Sequence, residues 1–445
     1  MAKQEENIME KIVSFAKRRG FIFQSSEIYG GFSSCYDYGP LGVELKNNIK
    51  RAWWKAMVQD NPDIVGLDAS ILMSPKVWEA SGHLGAGFTD PMVECKKCHK
   101  RFRPDHIEDK KKCPECGGEL TEAKSFNLMM KTFVGPVEDT ASETYLRGET
   151  CQGIYVNFEN IRESMRLKIP FGIAQIGKAF RNEITPGNFT FRMREFEQME
   201  MQYFVNPKDK KKHFKKWKEA RMKWYLDYGM DKNNLNFYEQ KKDELAHYSS
   251  AAVDIEYEFP FGKDELEGIH DRGDWDLSNH AKHSGKDMQY FNDETKEKYF
   301  PHIVETSAGA DRSTLAFLVD AYRVVEGGRT KTTESTKEQE VVLRLDKRLA
   351  PIKIAVLPLS KKEELTKPAT ELLNELKTRW MTQFDASGSI GRRYRRQDEI
   401  GTPYCVTYDF ESKDDKSVTV RDRDTMEQER IKIGDLMDYF KEKLD

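Results

Sequence analysis

Polar and apolar residues alternate along residues 177–205, on both sides of a turn signal at Pro186-Gly187-Asn188. Because residues two apart in an extended strand share a face, the pattern predicts a strand, a loop and a second strand. On the first strand, Arg181 and Glu183 share a face. The apolar face of the second strand belongs in a core and carries Met193, Met199, Met201, Tyr203 and Val205. Its opposite face carries Arg192, Arg194, Phe196, Gln198, Glu200 and Gln202.

Hydrophobic periodicity predicts further elements along the chain. Predicted helices cover residues 3–18, a segment that begins at Val43, residues 161–169 and the lysine-rich residues 206–229. Predicted strands cover residues 64–72, 125–134 and 253–259, and Glu265, Leu266 and Glu267 are expected at a turn beyond the last of them. Residues 302–322 predict a strand, a turn of small residues and an apolar helix. From residue 345 onward strands and helices alternate, which indicates a small α/β domain.

The polar face of the second strand is an unusual mixture for a solvated sheet. Arginines match phosphate oxygens with planar, multi-donor geometry, and Phe196 can cover a base. A Glu or Gln further along can hold a cation or a polar substrate. These residues leave two interpretations open, which are a nucleotide site and a solvated hairpin with cross-strand ion pairs.

Composition limits the class of protein but says little about the chemistry that the protein performs. The chain has 445 residues, of which 33% are charged and 38% hydrophobic, so two or three domains with their own cores are expected. No apolar run reaches the roughly 18 residues of a membrane span, and the N-terminus lacks the pattern of a secretory signal. The formal net charge of −3 means that any surface for nucleic acid would be a local patch.

Four of the seven cysteines form two C-x-x-C pairs, Cys95 with Cys98 and Cys113 with Cys116. Two such knuckles supply the four tetrahedral sulfurs that structural zinc prefers. We therefore predict a closed, structural Zn²⁺ site. The alternatives are four unmetallated thiols and redox disulfides, and the odd number of cysteines argues for a reducing cytoplasm.

Three segments resemble the motifs of class II aminoacyl-tRNA synthetases. FRNE at residues 180–183 with FRMREF at residues 191–196 resembles motif 2, the segment around Arg312 resembles motif 3, and the helix from Val43 resembles motif 1, a dimer element. EQME at residues 197–200 and ETSAG at residues 305–309 narrow the resemblance to the homodimeric, glycine-specific branch, over nearly the whole chain. The family pattern Arg-Pro-Glu-Thr-Ala-Gln corresponds to residues 147–152, where this chain has Gly148 in place of the proline and Cys151 in place of the alanine. Gly148 is expected to loosen the loop that presents Glu149.

The resemblance implies activation of glycine by ATP with Mg²⁺, followed by transfer to tRNA(Gly). It makes Arg181 and Arg312 the catalytic cations, for the α- and γ-phosphates, with Phe196 on the adenine ring and Glu183 on its amino group. The implied ATP contacts are Arg181, Asn182, Glu183, Phe191, Arg192, Met193, Arg194, Glu195, Phe196, Glu265, Leu266, Gly309, Ala310, Asp311 and Arg312. The implied glycine contacts are Arg103, Glu149, Phe196, Glu197, Gln198, Met199, Glu200, Glu305, Thr306, Ser307, Ala308 and Gly309. Glu265 and Glu305 are candidate Mg²⁺ ligands.

The expected fold class is α/β (α+β), in two domains. An antiparallel-sheet catalytic domain is expected at residues 1–335, with the zinc knuckle inserted at residues 92–120. A linker follows at residues 336–344, and an α/β anticodon-binding domain at residues 345–445. In this second domain Arg392, Arg393, Tyr394, Arg395 and Arg396 suit phosphate contact and base stacking, although a basic helix cap is an alternative for any one of them.

The expected partners are tRNA(Gly), glycine and a second copy of the chain, with no membrane and no DNA, and the expected location is the cytoplasm. A different class of function is a non-catalytic, nucleic-acid-binding descendant of the same fold, similar to a polymerase accessory subunit. Such descendants lose the arginines of motifs 2 and 3, which this chain keeps at Arg181, Arg192, Arg194 and Arg312. A sister enzyme for another amino acid is a further alternative, which the EQME and ETSAG segments disfavour.

Overall fold

Helices flank several mostly antiparallel sheets in the computed structural model, which describes residues 8–104, 107–184, 187–241, 245, 249–326 and 339–444. The helices are α1 (Ile8–Arg18), α2 (Pro40–Trp54), α3 (Pro75–Ala80), α4 (Cys151–Val156), α5 (Phe158–Met165), α6 (Lys210–Asp227), α7 (Trp275–Ser284), α8 (Ala310–Ala321), α9 (Glu363–Leu376), α10 (Ile390–Ile400), α11 (Ser412–Asp415) and α12 (Leu436–Leu444). The strands that precede residue 240 are β1 (Ile22–Gln24), β2 (Tyr36–Tyr38), β3 (Ile64–Gly66), β4 (Thr89–Glu94), β5 (Arg101–Phe102), β6 (Lys124–Asn127), β7 (Met130–Phe133), β8 (Glu143–Leu146), β9 (Phe171–Phe180), β10 (Glu195–Val205) and β11 (Leu235–Glu239). The later strands are β12 (Ala251–Phe259), β13 (Gly262–Gly273), β14 (Tyr290–Phe291), β15 (Lys298–Tyr299), β16 (His302–Gly309), β17 (Tyr322–Glu326), β18 (Gln339–Leu343), β19 (Ile354–Pro358), β20 (Thr382–Phe384), β21 (Tyr404–Tyr408), β22 (Ser417–Asp422) and β23 (Gln428–Lys432).

A seven-stranded sheet with the order β11-β12-β13-β16-β10-β9-β3 forms the centre of the larger domain. Neighbouring strands are antiparallel, except that β3 runs parallel to β9 at the edge. Helices α6 and α8 pack on one face, and α2 packs against α8. The sheet and these helices share one core of apolar side chains. On the opposite face, α4 and α7 cover part of the sheet over a second apolar core, and polar side chains line a cavity beside it.

Strand β10 confirms the predicted alternation of core and polar positions. Met199, Met201, Tyr203 and Val205 are buried in the core between the sheet and the helices. The strand begins only at Glu195, so the prediction that Arg192 and Arg194 belong to it is wrong. The chain coils at residues 188–191, where Asn188 and Phe189 have positive φ, before it becomes extended again. Of the predicted turn Pro186-Gly187-Asn188, Pro186 lies outside the described residues.

The first strand of the predicted pair also ends earlier than the pattern indicated. Strand β9 stops at Phe180, and Arg181 and Glu183 follow it. The backbone amide of Asn182 donates to the carbonyl of Leu128, at 2.8 Å, instead of continuing the ladder with β10. Residues 125–134 are likewise two strands and not one, because Asn127 accepts a hydrogen bond from the amide of Met129 in a turn. Strand β6 therefore pairs with β4, while β7 pairs with β8.

A β-bulge in β13 decides which side chains of that strand reach the polar face. Ile255 of β12 pairs with Glu267, and the next residue, Glu256, pairs with Glu265, so that Leu266 is the extra residue. The expected turn at Glu265-Leu266-Glu267 is thus wrong, because these residues lie inside a strand. The bulge reverses the alternation, which places Glu265 on the polar face and Glu267 on the helix-covered face.

The predicted turn of small residues before α8 is also part of a strand. Ser307, Ala308 and Gly309 pair with β10 to the end of β16, and α8 begins directly at Ala310. The apolar helix itself is confirmed, as are the helices predicted from Val43 and within residues 206–229. Of the strand predicted at residues 64–72, only Ile64–Gly66 is extended in the sheet.

The C-terminal part has its own five-stranded sheet, in the order β20-β19-β21-β22-β23, with a separate apolar core. The first three strands in this order are parallel and the last two antiparallel, so an α/β unit is confirmed. Strands β17 and β18 pair with each other, and the residues between them, 327–338, are not described. The predicted linker at residues 336–344 overlaps β18, and the proposed division into domains stays a prediction. Over the parts of the chain that the structure describes, no helix has both the length and the apolar composition needed to cross a membrane.

A buried ion pair fixes α6 to the sheet. Arg221 of α6 and Glu267 of β13 are fully buried, and the guanidinium donates to both carboxylate oxygens, with Nε–Oε1 at 2.6 Å and Nη2–Oε2 at 3.2 Å. Removing one partner of such a pair leaves an uncompensated buried charge, which costs about 3–5 kcal/mol. Among the mostly exposed lysines of α6, Arg221 is therefore a buried, structural cation.

We predict that Arg221→Ala lowers the free energy of unfolding by about 3–5 kcal/mol, because Glu267 stays buried without its partner. Urea denaturation followed by circular dichroism measures the change. Lys215→Ala is the matched control on the same helix, since Lys215 is exposed and its substitution is expected to change stability by less than about 0.5 kcal/mol. Equal stability of the two variants would contradict a structural role for the pair.

Candidate active site

A cavity of about 410 Å³ opens on the polar face of the seven-stranded sheet. Its volume lies within the range of small-molecule sites. Alternate residues of neighbouring strands form its floor, in register across the sheet. They are Phe196, Gln198 and Glu200 of β10, Glu305, Ser307 and Gly309 of β16, Gly268, His270 and Arg272 of β13, and Asp254 of β12.

Most of the residues predicted for the site line this cavity together. They are Arg103, Glu149, Arg181, Glu183, Phe191, Arg192, Met193, Phe196, Gln198, Glu200, Glu265, Glu305, Ser307, Gly309, Asp311 and Arg312. Arg103 comes from the segment next to the cysteine knuckles, and its guanidinium is 2.7 Å from Asp90, a further lining residue. Met193, which the alternation assigned to the core, faces the cavity instead.

The remaining predicted residues do not line the cavity. Five of them are buried and face the core between the sheet and the helices, or lie next to that core: Met199, Leu266, Thr306, Ala308 and Ala310. Glu195 is exposed and its carboxylate is 2.8 Å from Lys178, whereas Glu197 lies between Lys46, at 3.1 Å, and Lys50, at 3.0 Å. Asn182 and Arg194 form backbone and side-chain hydrogen bonds that shape the motif 2 loop.

Arg181 is held at the rim of the cavity by one hydrogen bond and two aromatic rings. Its Nε donates to the carbonyl of Gly148 at 3.0 Å. The guanidinium carbon lies 5.3 Å from the ring centre of Phe88 and 5.4 Å from that of Phe196. The terminal nitrogens have no hydrogen-bond partner within the described parts of the chain, so a planar donor set faces the cavity for an anion.

Arg312, in the first turn of α8, is the second cation of the site. Its Nη1 donates to the carbonyl of Glu265 at 2.7 Å and lies 3.2 Å from the carboxylate of the same residue. Its guanidinium carbon is 4.2 Å from the ring centre of Phe191. The β-bulge of β13 thus brings Glu265 to Arg312. Asp311, by contrast, accepts from Lys46 Nζ and from the backbone amide of Glu197, both at 2.6 Å, which ties α8 to α2 and β10.

Glu200 and Glu305 form an acidic cluster with Cys151, and one ligand atom of each lies within 4.8 Å of the others. Burial alone would raise the pKa of Glu305, but Arg272 and His270 lower it to about 2. Arg272 Nη1 is 3.0 Å and His270 Nδ1 2.8 Å from its oxygens. Burial raises the pKa of Glu200 well above its usual value, and the nearby Glu305 and Glu149 raise it further. The cluster therefore favours a bound proton on Glu200 until a cation approaches.

Glu149 completes this acidic end of the cavity. Although burial opposes its charge, the nearby His83, with Nε2 at 3.3 Å, keeps the pKa of Glu149 well below its usual range, and Arg272 and the Cys151 thiol lower it further. The Cys151 thiol donates to the same carboxylate at 2.9 Å and Gln152 Nε2 donates at 3.0 Å. A Cβ on Gly148 would lie 3.0 Å from Phe88 and 3.1 Å from Met129, so this loop is closely packed, and the loosening expected from Gly148 stays a prediction.

Several cavity residues were not predicted from the sequence. They are Asp90, Leu128, Thr190, Gln240, Asp254, Gly268, His270 and Arg272. Arg272 is the most connected of them, because its guanidinium donates to both oxygens of Asp276, at 2.8 and 3.0 Å, and to Glu305. Alternation along the strand is a sequence signal for Gly268, His270 and Arg272, which share a face. The bulge at Leu266 interrupts this alternation within residues 265–267, where the sequence predicts a turn.

The four cysteines of the two knuckles come together as predicted. The sulfurs of Cys95 and Cys116 are 3.5 Å apart and those of Cys98 and Cys113 are 3.7 Å apart. All four sulfurs lie within 4.8 Å of one another. These distances suit a tetrahedral metal, since bonds of about 2.3 Å to zinc place the sulfurs about 3.8 Å apart.

The basic segment of the C-terminal domain is mostly engaged inside the protein. Arg393 is buried and donates to the carbonyls of Asp385 and Leu359, at 3.2 and 3.1 Å. Arg396 contacts the carboxylate of Asp385, and Arg395 lies 3.3 Å from Glu340 of β18. The hydroxyl groups of Tyr394 and Thr407 are 2.6 Å apart. Only Arg392 of this segment is exposed, so helix packing explains the other arginines.

Comparisons with known proteins cover the whole chain. The family model "tRNA synthetase class II core domain (G, H, P, S and T)" matches residues 134–322, and the model "Anticodon binding domain" matches residues 353–443. A glycine–tRNA ligase of Treponema denticola is 56% identical over 97% of this chain and 96% of its own length. The glycine–tRNA ligases of Thermobifida fusca and Geobacillus thermodenitrificans are 52% and 53% identical, over 100% and 98% of this chain and 99% and 97% of their own lengths.

Proposed function

The chain belongs to the glycine–tRNA ligase family of class II aminoacyl-tRNA synthetases, and we propose that its central cavity carries out the activation of glycine through Arg181 and Arg312. It is an enzyme that charges tRNA with glycine. The observation that supports the site assignment is that Arg181 and Arg312 line one cavity together with the acidic cluster of Glu149, Glu200 and Glu305. The alternative of a non-catalytic descendant is not favoured by relatives that are themselves ligases.

Activation joins two groups that repel each other. A carboxylate oxygen of glycine attacks the α-phosphorus of ATP, a new oxygen–phosphorus bond forms, and pyrophosphate leaves. Cations that are already in place stabilise the charge that develops in this step. Arg181 presents its free nitrogens to the α-phosphate and the glycine carboxylate, and Arg312 contacts the γ-phosphate.

The acidic end of the cavity binds the ammonium group of glycine. Glu149, Glu200 and Glu305 surround this position with Ser307. Glycine has no side chain, so the enzyme rejects larger amino acids by filling the space that a side chain needs. Exclusion by steric clash discriminates more strongly than recognition of a missing methylene, which makes an editing site unnecessary.

The adenine base is assigned to the motif 2 end of the cavity. Glu183 is largely buried there, and its Oε2 has no hydrogen-bond partner within the described residues. This oxygen accepts from the adenine amino group in the proposal, and Phe196 covers the ring. Both oxygens of Glu305 already have partners in Arg272, His270 and Gln202, so Glu305 does not fit a Mg²⁺ ligand. Glu265, beside Arg312, fits, and Mg²⁺ there would neutralise phosphate charge.

The remaining partners follow from family membership. The C-terminal domain binds the anticodon arm of tRNA(Gly), in keeping with the family model that it matches. Helix α2 is the proposed dimer element of a homodimer, and the cytoplasm is the proposed location. The four cysteines hold a structural Zn²⁺ that fixes the module bearing Arg103 near the cavity.

We predict that Arg312→Ala lowers the rate of glycine-dependent ATP–pyrophosphate exchange by about 10²- to 10³-fold, since a preorganised donor to the reacting phosphates is lost. The fold should be unchanged because the arginine side chain is partly exposed. Arg18→Ala, on the exposed face of α1, is the control and should retain wild-type exchange. Wild-type exchange by Arg312→Ala would refute the assignment.

We predict that glycine binding releases a proton from Glu200, because the substrate ammonium lowers the raised pKa of this carboxyl. Glycine affinity should therefore rise with pH, by at most about tenfold per unit, until Glu200 is ionised in the free enzyme. Calorimetric titrations in buffers of different ionisation enthalpy measure the release. Glu200→Gln should abolish it, while Glu195→Gln, outside the cavity, should not, and pH-independent binding by the wild type would contradict the proposal.

We predict that replacing Cys95 and Cys98 with Ser removes about one zinc per chain, since two of four thiolates are lost. Plasma mass spectrometry of the purified proteins measures the metal. Replacement of Cys35, which lies outside the knuckles, should leave the zinc content unchanged. A wild-type protein without zinc, or an unchanged content in the double variant, would rule out the tetrathiolate site.

A further inference from the structure

The cavity extends two strands beyond the residues assigned to glycine. One transverse row of paired residues crosses the sheet, from Glu200 of β10 to Ser307 of β16, Gly268 of β13 and Asp254 of β12. Glu200 and Ser307 contact glycine in the proposed function. Asp254 lies at the other end of the row, and it lines the same cavity.

Asp254 is a buried carboxylate with one oxygen held and one oxygen free. The residue is 8% exposed. Its Oδ2 accepts from Gln240 Nε2 at 2.8 Å, and the backbone amide of Gln240 is itself fixed to the carbonyl of Ala252 at 3.1 Å. Its Oδ1 is buried and accepts no hydrogen bond from any residue that the structure describes. An acceptor left in this state costs about 1–3 kcal/mol, which a bound donor recovers.

Two cavity-lining carboxylates in the described parts of the chain have a buried oxygen that accepts no hydrogen bond. They are Glu183 at the motif 2 end and Asp254 on β12. The donors on the substrates are few. They are the glycine ammonium, the adenine amino group and the ribose hydroxyls of ATP and of the tRNA terminus. The ammonium has three carboxylates of its own, and the adenine amino group has Glu183. Phosphates offer no donor and are repelled by a carboxylate.

We propose that Asp254 is a specificity-determining residue whose Oδ1 accepts a hydrogen bond from a ribose hydroxyl. The inference rests on the proposed function, because it takes ATP and tRNA to be the ligands of this cavity. Gly268, the neighbour of Asp254 in the row, has no side chain, so the ring of His270 occupies the space beside it. The imidazole of His270 lies above Gly268, with Cε1 only 2.7 Å from the position of a Cβ.

The charge state of Asp254 agrees with a role as acceptor. Burial raises its pKa to about 6, and the carboxylate of Glu265 contributes to this shift. Glu256 on the same strand raises the pKa further, whereas Gln240 and His270 oppose the shift. At neutral pH the ionised form therefore prevails, and an ionised carboxylate accepts hydrogen bonds but donates none.

The test removes the acceptor and the donor separately. Wild type, Asp254→Asn and Asp254→Ala are compared in glycine-dependent ATP–pyrophosphate exchange with ATP, 2′-deoxy-ATP and 3′-deoxy-ATP. A second arm measures single-turnover transfer from preformed glycyl-adenylate to tRNA that ends in adenosine or in a deoxyadenosine that keeps the reacting hydroxyl. Glu256→Gln is the control, because Glu256 is two residues along the same strand, is bonded to Asn236 and lies outside the cavity.

We expect wild type and Glu256→Gln to favour the ribose substrate by about 10- to 100-fold in one arm, the range for a hydrogen bond to a charged group. In Asp254→Ala the activity with the ribose substrate should fall by this factor while the activity with the deoxyribose substrate stays the same, so that discrimination disappears. Asp254→Asn covers the case in which the alanine variant does not fold. Loss in the first arm identifies the ribose of ATP, and loss in the second arm that of the tRNA terminus.

Wild-type discrimination by both Asp254 variants in both arms would overturn the inference. So would a variant whose only change is its Mg²⁺ requirement, because Asp254 would then hold a cation. If wild type shows no glycine-dependent exchange, the proposed function fails instead, and the two failures are thus distinguishable.

Discussion

The site depends on the burial of one guanidinium, that of Arg272, under the acidic end of the cavity. Three carboxylates lie there in a space that excludes most water, and buried like charges repel strongly. Arg272 donates to Glu305 and to both oxygens of Asp276, and it is itself almost fully buried. It therefore compensates one carboxylate of the cluster directly and anchors it to α7.

The charge of Arg272 contributes to a difference in pKa between three chemically similar carboxylates, Glu149, Glu200 and Glu305. Glu305 and Glu149 have lowered pKa values because Arg272, His270 and His83 favour their charged forms over the effect of burial. For Glu200, burial and the neighbouring carboxylates Glu305 and Glu149 raise the pKa by more than the Thr150 hydroxyl and Arg272 lower it. The raised pKa favours the neutral form of Glu200, so a third buried charge is disfavoured at the position proposed for the substrate ammonium.

A single inserted residue gives β13 two functions. Without the bulge at Leu266, strict alternation would send Glu265 and Glu267 to the same face of the sheet. With it, Glu265 reaches Arg312 in the cavity, while Glu267 binds Arg221 on the side of the helices. The contact of Glu265 with Arg312 in the cavity and the attachment of α6 therefore depend on the same irregularity.

The limits of the sequence analysis follow from these two features. Alternation along β10 identified the floor of the cavity and the core beneath it, because both depend on local geometry. It misplaced Arg181 and Arg192, since strand ends are decided by partners far along the chain, such as the carbonyl of Leu128 that binds Asn182. It missed Arg272 because the bulge at Leu266 interrupts the alternation that residues 268–272 follow. It missed Asp254 because a polar position on a predicted strand does not tell which neighbouring strands it meets. The composition of residues 392–396 suits RNA contact, but the partners of Arg393 and Arg395 within the chain, Leu359 and Glu340, are visible only in the fold.

The distribution of charge within the cavity explains how a protein with a net charge of −3 handles anionic substrates. The cations Arg181 and Arg312 and the carboxylates Glu149, Glu200 and Glu305 occupy different parts of one cavity. In the proposed function, this separation orients the glycine zwitterion with its ammonium toward the acids and its carboxylate toward Arg181. Its carboxylate then faces the same guanidinium as the α-phosphate. Binding one end of the substrate thus positions the other end for attack, and the reaction needs fixed charges and orientation more than a general base.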